Sequence, residues 1–242
     1  MIINFAHRGA SMYYPENTML AFEKAIEMGC TGIETDVQMT KDGTLVLIHD
    51  EYLDRTTDGI GLVRNYSYND LRKLNAGSFK DEVFSKCKIP SLEEFIDFVK
   101  DKNIKINFEI KNSIILYKDI EENLLFYLMK EKIEDKVIIS SFNHDSMDKC
   151  KSLNSSINTG LLFEKKIKTV NEYLYPIKPN SLHLPHKGLN RKIIEEAHKN
   201  NFKVNIYTVD NPITMSLLIN MKVDGIITNC PDILNETLNN LE

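Results

Sequence analysis

The sequence predicts an α/β chain closed into a (β/α)₈ TIM barrel, with a small insertion after the second strand. Short apolar runs alternate with longer segments of helical period, and the alternation keeps its character from end to end. With one hairpin counted as a single position there are eight strand and helix pairs, which suits a closed barrel better than an open sheet. The length of 242 residues fits one such barrel, commonly about 250 residues as a single unit. A domain of that size buries roughly three quarters of the surface its unfolded chain exposes. Residues 1–242 are therefore read as one domain.

Strand candidates are residues 2–6, 32–37 continued by 44–48, 104–110, 137–141, 157–163, 181–184, 204–207 and 225–228. The helices between them are expected over 16–28, 91–102, 118–132, 144–153, 169–174, 190–200, 213–221 and 231–241. Ser91 before Leu92-Glu93-Glu94 reads as a capping box, and Pro231 suits the first turn of the last helix. Residues 52–88 break the rhythm, with a short helix expected near 69–75 and a turn at Gly77. A long βα connection lies over the C-terminal mouth of a barrel, so this insertion is expected to wall a pocket.

Composition narrows the partners. A formal charge of −5 argues against nucleic acid, which needs clustered lysine and arginine, but not against a small anion held at a local positive site. Cys30, Cys87, Cys150 and Cys230 have no paired metal spacing, and the N-terminus has no basic and apolar leader, so they read as reduced, buried thiols. No apolar run approaches the ~18 residues of a membrane span. The expected location is the cytoplasm.

Glu34 and Asp36 stand two apart on one strand and so share a face. Two carboxylates at a barrel mouth repel and lose hydration unless a cation joins them. Glu109, at the end of the next parallel strand, adds a third oxygen donor. Such a set selects one hard divalent cation, Mg²⁺ or Ca²⁺, with Mn²⁺ a third candidate. The other reading is a salt-bridged cluster with Arg8 and Lys111 that needs no metal, and spacing does not choose. His7 and His49 each follow a strand and belong at the C-terminal rim, where a neutral and a protonated imidazole can exchange protons with a nucleophile and a leaving group. Which is acid and which is base is open. Arg8 suits a phosphate oxygen and Lys111, on the face of Glu109, suits developing negative charge. Gly9 allows tight passage of the chain.

Glu16 and Asn17 either orient ligands or cap the first helix. Asp50 fixes the His49 tautomer or only makes a turn. Phe142 and Tyr207, at strand ends, pack on the carbon side of a polyol or in the core. His183 and His186 read as pocket rim or surface, His144 and His198 as helix and surface positions, and Glu164-Lys165-Lys166 as a solvated loop.

The segments His7-Arg8-Gly9, Pro15-Glu16-Asn17-Thr18, Glu34-Thr35-Asp36, Thr40-Lys41-Asp42-Gly43, His49-Asp50 and Arg55-Thr56-Thr57-Asp58-Gly59 closely resemble the glycerophosphodiester phosphodiesterase family in order and spacing. Later segments fit as well, among them Phe108-Glu109-Ile110-Lys111, Ser140-Ser141-Phe142, Tyr207-Thr208-Val209-Asp210 and Asp224-Gly225-Ile226-Ile227-Thr228-Asn229-Cys230-Pro231. The resemblance implies metal-dependent hydrolysis of glycerophosphodiesters to sn-glycerol 3-phosphate and an alcohol. It implies metal ligands at Glu34, Asp36 and Glu109 and a catalytic pair at His7 and His49. The chain departs from the family pattern at Tyr207, usually tryptophan, Asp210, usually asparagine, and Asn75 and Asn229, usually aspartate. These departures put polyol contacts and substrate preference in question. Alternatives are a lysophospholipid or sphingolipid phosphodiesterase of phospholipase D type, a non-catalytic glycerophosphodiester-binding barrel, and a sugar-phosphate isomerase on the same fold. The oligomeric state, monomer or homodimer, is open.

Overall fold

Eight parallel strands close on themselves in the computed structural model, which describes residues 2–173 and 178–241. They are β1 (Ile3–His7), β2 (Gly32–Met39), β4 (Lys105–Ile110), β5 (Val137–Ser141), β6 (Asn158–Leu162), β7 (Ser181–Pro185), β8 (Lys203–Tyr207) and β9 (Gly225–Thr228). β1 pairs with β9 on one side and β2 on the other, which closes the ring. β3 (Leu45–Leu47) folds back antiparallel on β2 through the Asp42-Gly43 turn, as the hairpin expected there.

Alternation along the strands separates two environments. The outward side chains Ile33, Val37, Ile106, Phe108 and Ile110 are buried in one apolar core with the helices. Phe22 of α1 (Met19–Glu27) meets Phe95 of α3 (Leu92–Val99) edge-on at 4.7 Å between ring centroids, and Phe95 meets Phe108 at 5.7 Å. The inward side chains include Glu34, Asp36, Asn107 and Glu109, none more than 9% exposed.

The helices follow the expected order, with α3 opened by the Ser91–Glu94 capping box. α4 (Ile120–Glu131), α5 (His144–Leu153), α6 (Arg191–Lys199), α7 (Pro212–Asn220) and α8 (Pro231–Asn239) lie within a residue or two of their expected ranges. Two expectations need correction. The first helix begins at Met19, not residue 16, because Asn17 has φ of 54° and Thr18 is the cap, accepting from Ala21 N. The helix expected over 169–174 is a single 3₁₀ turn, Asn171–Tyr173, with Leu174 outside the described residues. So short a segment cannot offset helix nucleation with its own hydrogen bonds.

The insertion carries one α-helical turn, α2 (Tyr68–Leu71), capped by Ser67, where the short helix was expected near 69–75, and two 3₁₀ turns, Val63–Asn65 and Glu82–Phe84. Leu53, Val63, Leu71 and Ala76 pack with Val46, Ile48 and Ile89 in an apolar cluster of its own. Gly77 is obligatory there, since a Cβ would lie 1.9 Å from the Phe84 carbonyl oxygen. The insertion leans on the loop after β1 through Lys80, which donates to Ser11 O at 2.9 Å. Among the described residues no helix is long and apolar enough to cross a membrane.

Candidate active site

The mouth of the barrel is assembled first by register. β1 sets His7 beside Glu34, and β2 sets Asp36 beside Glu109 of β4. After His7 the chain turns sharply, with Arg8 at φ 57° and Gly9 at φ 82°. A Cβ on Gly9 would sit 2.6 Å from the Ala21 backbone, so the turn and its contact with α1 both require glycine.

Glu34, Asp36 and Glu109 each offer an oxygen within 4.8 Å of the other two. Burial pushes the Glu34 carboxyl well above its ordinary pKa, and the charges of Asp36 and Glu109 push it further. Burial also raises Glu109, against the pull of Lys111. Asp36 goes the other way: burial would raise it, but Arg8, His49 and Lys111 hold it well below the usual carboxylate range. Salt bridges are part of this cluster, with Arg8 Nε 3.3 Å from Asp36 and Lys111 Nζ 2.8 Å from Glu109. Among the described residues they leave Asp36 Oδ1 buried with no hydrogen-bond partner, the Lys111 ammonium standing 3.9 Å away. A carboxylate triad with an orphaned buried oxygen and no sulfur donor fits a hard divalent cation.

The two imidazoles have different supports. His49 Nδ1 donates to the Asp50 carboxylate at 2.5 Å, and Asp50 is held in turn by Arg55 at 2.6 Å. The segment carrying His49 is pinned by Gln38, whose Nε2 lies 2.7 to 3.1 Å from the carbonyls of Ile48, His49 and Asp50. His49 Nε2 then faces Lys111 Nζ at 3.2 Å. His7 Nδ1 meets the Asn229 amide oxygen at 2.7 Å. That oxygen is identified by its amide nitrogen, which donates to Asp210 at 2.7 Å, so His7 Nδ1 must carry the hydrogen and Nε2 the lone pair. Burial, helped by Arg8, lowers the His7 pKa to about 4, with Asn229 opposing.

Glu16 and Asn17 do not cap α1; both are drawn into the site. Glu16 joins Arg8 and Arg55 at 2.8 Å each. Asn17 donates to Asp36 at 2.8 Å and accepts from Thr35 at 2.7 Å. A cavity of about 140 Å³ lies at the mouth, lined by His7, Arg8, Glu34, His49, Glu109, Phe142 and Tyr207. Phe142 and Tyr207 meet edge-on at 6.3 Å, and the Tyr207 hydroxyl donates to the Phe163 carbonyl. A larger cavity, about 260 Å³, opens at the N-terminal strand ends beside Lys105, Lys136 and Lys203, away from the triad and both imidazoles.

Several readings change. His183 is neither rim nor surface: it is wholly buried inside the barrel, 3.0 Å from Ser181 and 3.0 Å from Asn205. Its strand position, two residues from Ser181, points it inward, and Gly160 opposite leaves it room. His144 is half-buried, edge-on to Phe163 at 5.1 Å, because the first turn of α5 packs on the end of β6. His186 is half-buried at the rim, and His198 is exposed and bonded to Asp224. Cys30, Cys150 and Cys230 are free and buried, but Cys87, in the insertion, is only half-buried. Asn229 contacts His7 and is itself held by Asp210, and Asn75 is bonded within the insertion to Ser78 and Gly77. Arg55, Gln38 and Asn107 had been given no role. Asn107 was open to the alternation argument, standing two residues before Glu109.

A model of the Glycerophosphoryl diester phosphodiesterase family matches residues 7–233. The chain is 42% identical over 229 residues to a glycerophosphodiester phosphodiesterase of Caldanaerobacter subterraneus, covering 95% of this chain and 94% of that one. It is 38% identical to a glycerophosphodiester phosphodiesterase of Bacillus altitudinis, covering 94% of each. Among solved structures, an Oleispira antarctica phosphodiesterase in complex with the product sn-glycerol-3-phosphate superposes with a TM-score of 0.89 at 27% identity, over 97% of this chain and 96% of that one.

Proposed function

Because the chain belongs to the glycerophosphoryl diester phosphodiesterase family, we propose that it hydrolyses glycerophosphodiesters to sn-glycerol 3-phosphate and an alcohol, using a divalent cation and two histidines. The observation that carries this reading is one cavity faced by both His7 and His49 and walled by Glu34 and Glu109 of the carboxylate triad.

Glu34, Asp36 and Glu109 are the residues that would hold the cation, which when bound polarises a phosphoryl oxygen and lowers the pKa of a bound water or hydroxyl. Arg8 supports a non-bridging phosphate oxygen with donors that Glu16 keeps in place. Lys111 stands by to neutralise charge as the oxygens gain it. The supports of the imidazoles favour unequal roles. His7, hydrogen-bonded at Nδ1 to a neutral amide, presents a lone pair at Nε2 and suits the base. His49, whose Nδ1–H is oriented by the Asp50 carboxylate, turns Nε2 into the cavity beside Lys111 and is left as the group that hands a proton to the departing alkoxide.

The test is release of glycerol 3-phosphate from glycerophosphocholine and glycerophosphoethanolamine, first with EDTA and then with Mg²⁺, Ca²⁺ or Mn²⁺. Release restored by a metal is expected. Full activity in EDTA would remove the cation from the reading, and no release under any condition would remove the reaction.

One observation favours a second substrate class. Ile60, Ile114 and Leu116, on the connections that follow β3 and β4, are 74–78% exposed. A lysophospholipid would use them. Choline release from lysophosphatidylcholine at a rate above that from glycerophosphocholine would make this the better reading.

A further inference from the structure

Inside the barrel, one layer below the mouth, an amide stands without partners. Asn107 lies two residues before Glu109 on β4, so its side chain points to the same interior, and the register sets it opposite Glu34. It is 1% exposed and lines the cavity with His7, Glu34 and Tyr207. Among the described residues neither its Oδ1 nor its Nδ2 has a hydrogen-bond partner. Elsewhere inside the barrel Ser140 Oγ and His183 Nδ1 are also buried and, among the described residues, unpartnered.

Interiors of such barrels are ordinarily filled by branched apolar side chains. A leucine at 107 would be close in size and would remove two uncompensated polar atoms, each of which carries the full desolvation penalty. The amide is therefore understandable if the occupant of the cavity completes it. Its oxygen only accepts and its nitrogen only donates. A phosphate oxygen satisfies the nitrogen alone, a cation the oxygen alone, and a quaternary ammonium neither. Two neighbouring hydroxyls, each both donor and acceptor, satisfy both at once.

We propose that Asn107 is a specificity-determining residue that pairs with the two free hydroxyls of the glyceryl end of the substrate. This rests on the hydrolase reading above and adds to it the group that tells a glyceryl phosphodiester from one with a plain alkyl arm. Sites built to hydrogen-bond a hydroxyl reject analogues that lack it far more strongly than apolar pockets reject a missing methylene.

The experiment compares binding of sn-glycerol 3-phosphate with that of ethyl phosphate, which has the phosphate but no free hydroxyl. Calorimetry is run on the Mg²⁺-loaded wild type, Asn107→Leu and Asn107→Ser, with thermal melting to show that each variant is folded. In the wild type the glycerol phosphate binds more tightly, and in both variants the ratio of the two affinities falls about 10- to 100-fold, toward one. Three results would overturn the assignment. Unchanged affinities for both ligands mean that the amide serves only ordered water, an equal loss for both means a structural role, and a lost Mg²⁺ affinity in Asn107→Leu means a metal ligand. Turnover of glycerophosphocholine is followed in parallel. Selective binding without turnover would refute the hydrolase reading and leave Asn107 in its role, whereas turnover without selective binding would do the reverse.

Discussion

The two faces of the barrel strands obey different rules. Outward, Phe108 is fully buried between strand and helix against Phe95, and its neighbours Ile106 and Ile110 are equally enclosed and apolar. Inward, the residues that alternate with them are Asn107 and Glu109, equally hidden from water but polar, with Asn107 unpartnered. Burial on the outer face lowers the free energy of folding, while the same burial on the inner face raises it by dehydrating amides and carboxylates. A single strand thus separates the residues whose burial stabilises the fold from those whose burial costs it stability.

Substitutions can test how complete that separation is. The largest effect is expected from His7→Ala or His49→Ala, on the inner side: each is expected to reduce turnover by about 10²- to 10⁴-fold while the melting temperature stays within about 2 °C. Near-normal turnover in either, measured by glycerol 3-phosphate release, would remove that imidazole from the chemistry. Phe108→Ala is the outer counterpart and should cost about 3–5 kcal/mol of stability in urea titration, with specific activity kept well below the melting range. Should its activity collapse while the fold survives, the two faces are coupled.

A smaller and opposite effect is expected from Glu34→Gln. Burial beside Asp36 and Glu109 makes the charged form of Glu34 costly in the folded state. With metal chelated, the variant should be more stable than wild type by about 1 kcal/mol, and Mg²⁺ should stabilise it less. Melting curves in EDTA and in Mg²⁺ decide this, and a variant less stable in EDTA would mean that the charge is well compensated by the protein alone. His183 sharpens the comparison through pH. Burial lowers its pKa to about 3, below the 6.5 of an unfolded histidine, so the unfolded chain binds the extra proton between those values. Stability should fall on acidification from pH 6.5 toward 3, by at most about 1.4 kcal/mol per pH unit from this group. His183→Asn should show a shallower slope, and equal slopes would mean that His183 takes up its proton without unfolding.

Much of this was readable from local pattern. Alternation put Glu34, Asp36 and Glu109 on one side, and strand ends put His7 and His49 at the rim, because these inferences need only the geometry of an extended chain. Contacts between distant segments were not readable. Arg55 reaches Glu16 across 39 residues, and Asn17 became a partner of Asp36 because its backbone is left-handed, which no periodicity reports. His183 was misjudged for a different reason: pairing it with His186 as a motif hid the simpler fact that it lies on a strand, two residues from Ser181. Alternation would have placed it inside. The unequal supports of the two imidazoles rest on one amide and one carboxylate, whose contacts only the closed barrel reveals.

The hydrogen bond between His7 and Asn229 spans 222 residues. During synthesis His7 leaves the ribosome near the start of the chain, and its orienting partner is made near the end, after every other strand. A fragment that has paired β1 with β2 therefore still lacks the amide oxygen that meets His7 Nδ1. Docking of β9 beside β1 completes the ring of strands and brings Asn229 to that imidazole in one event.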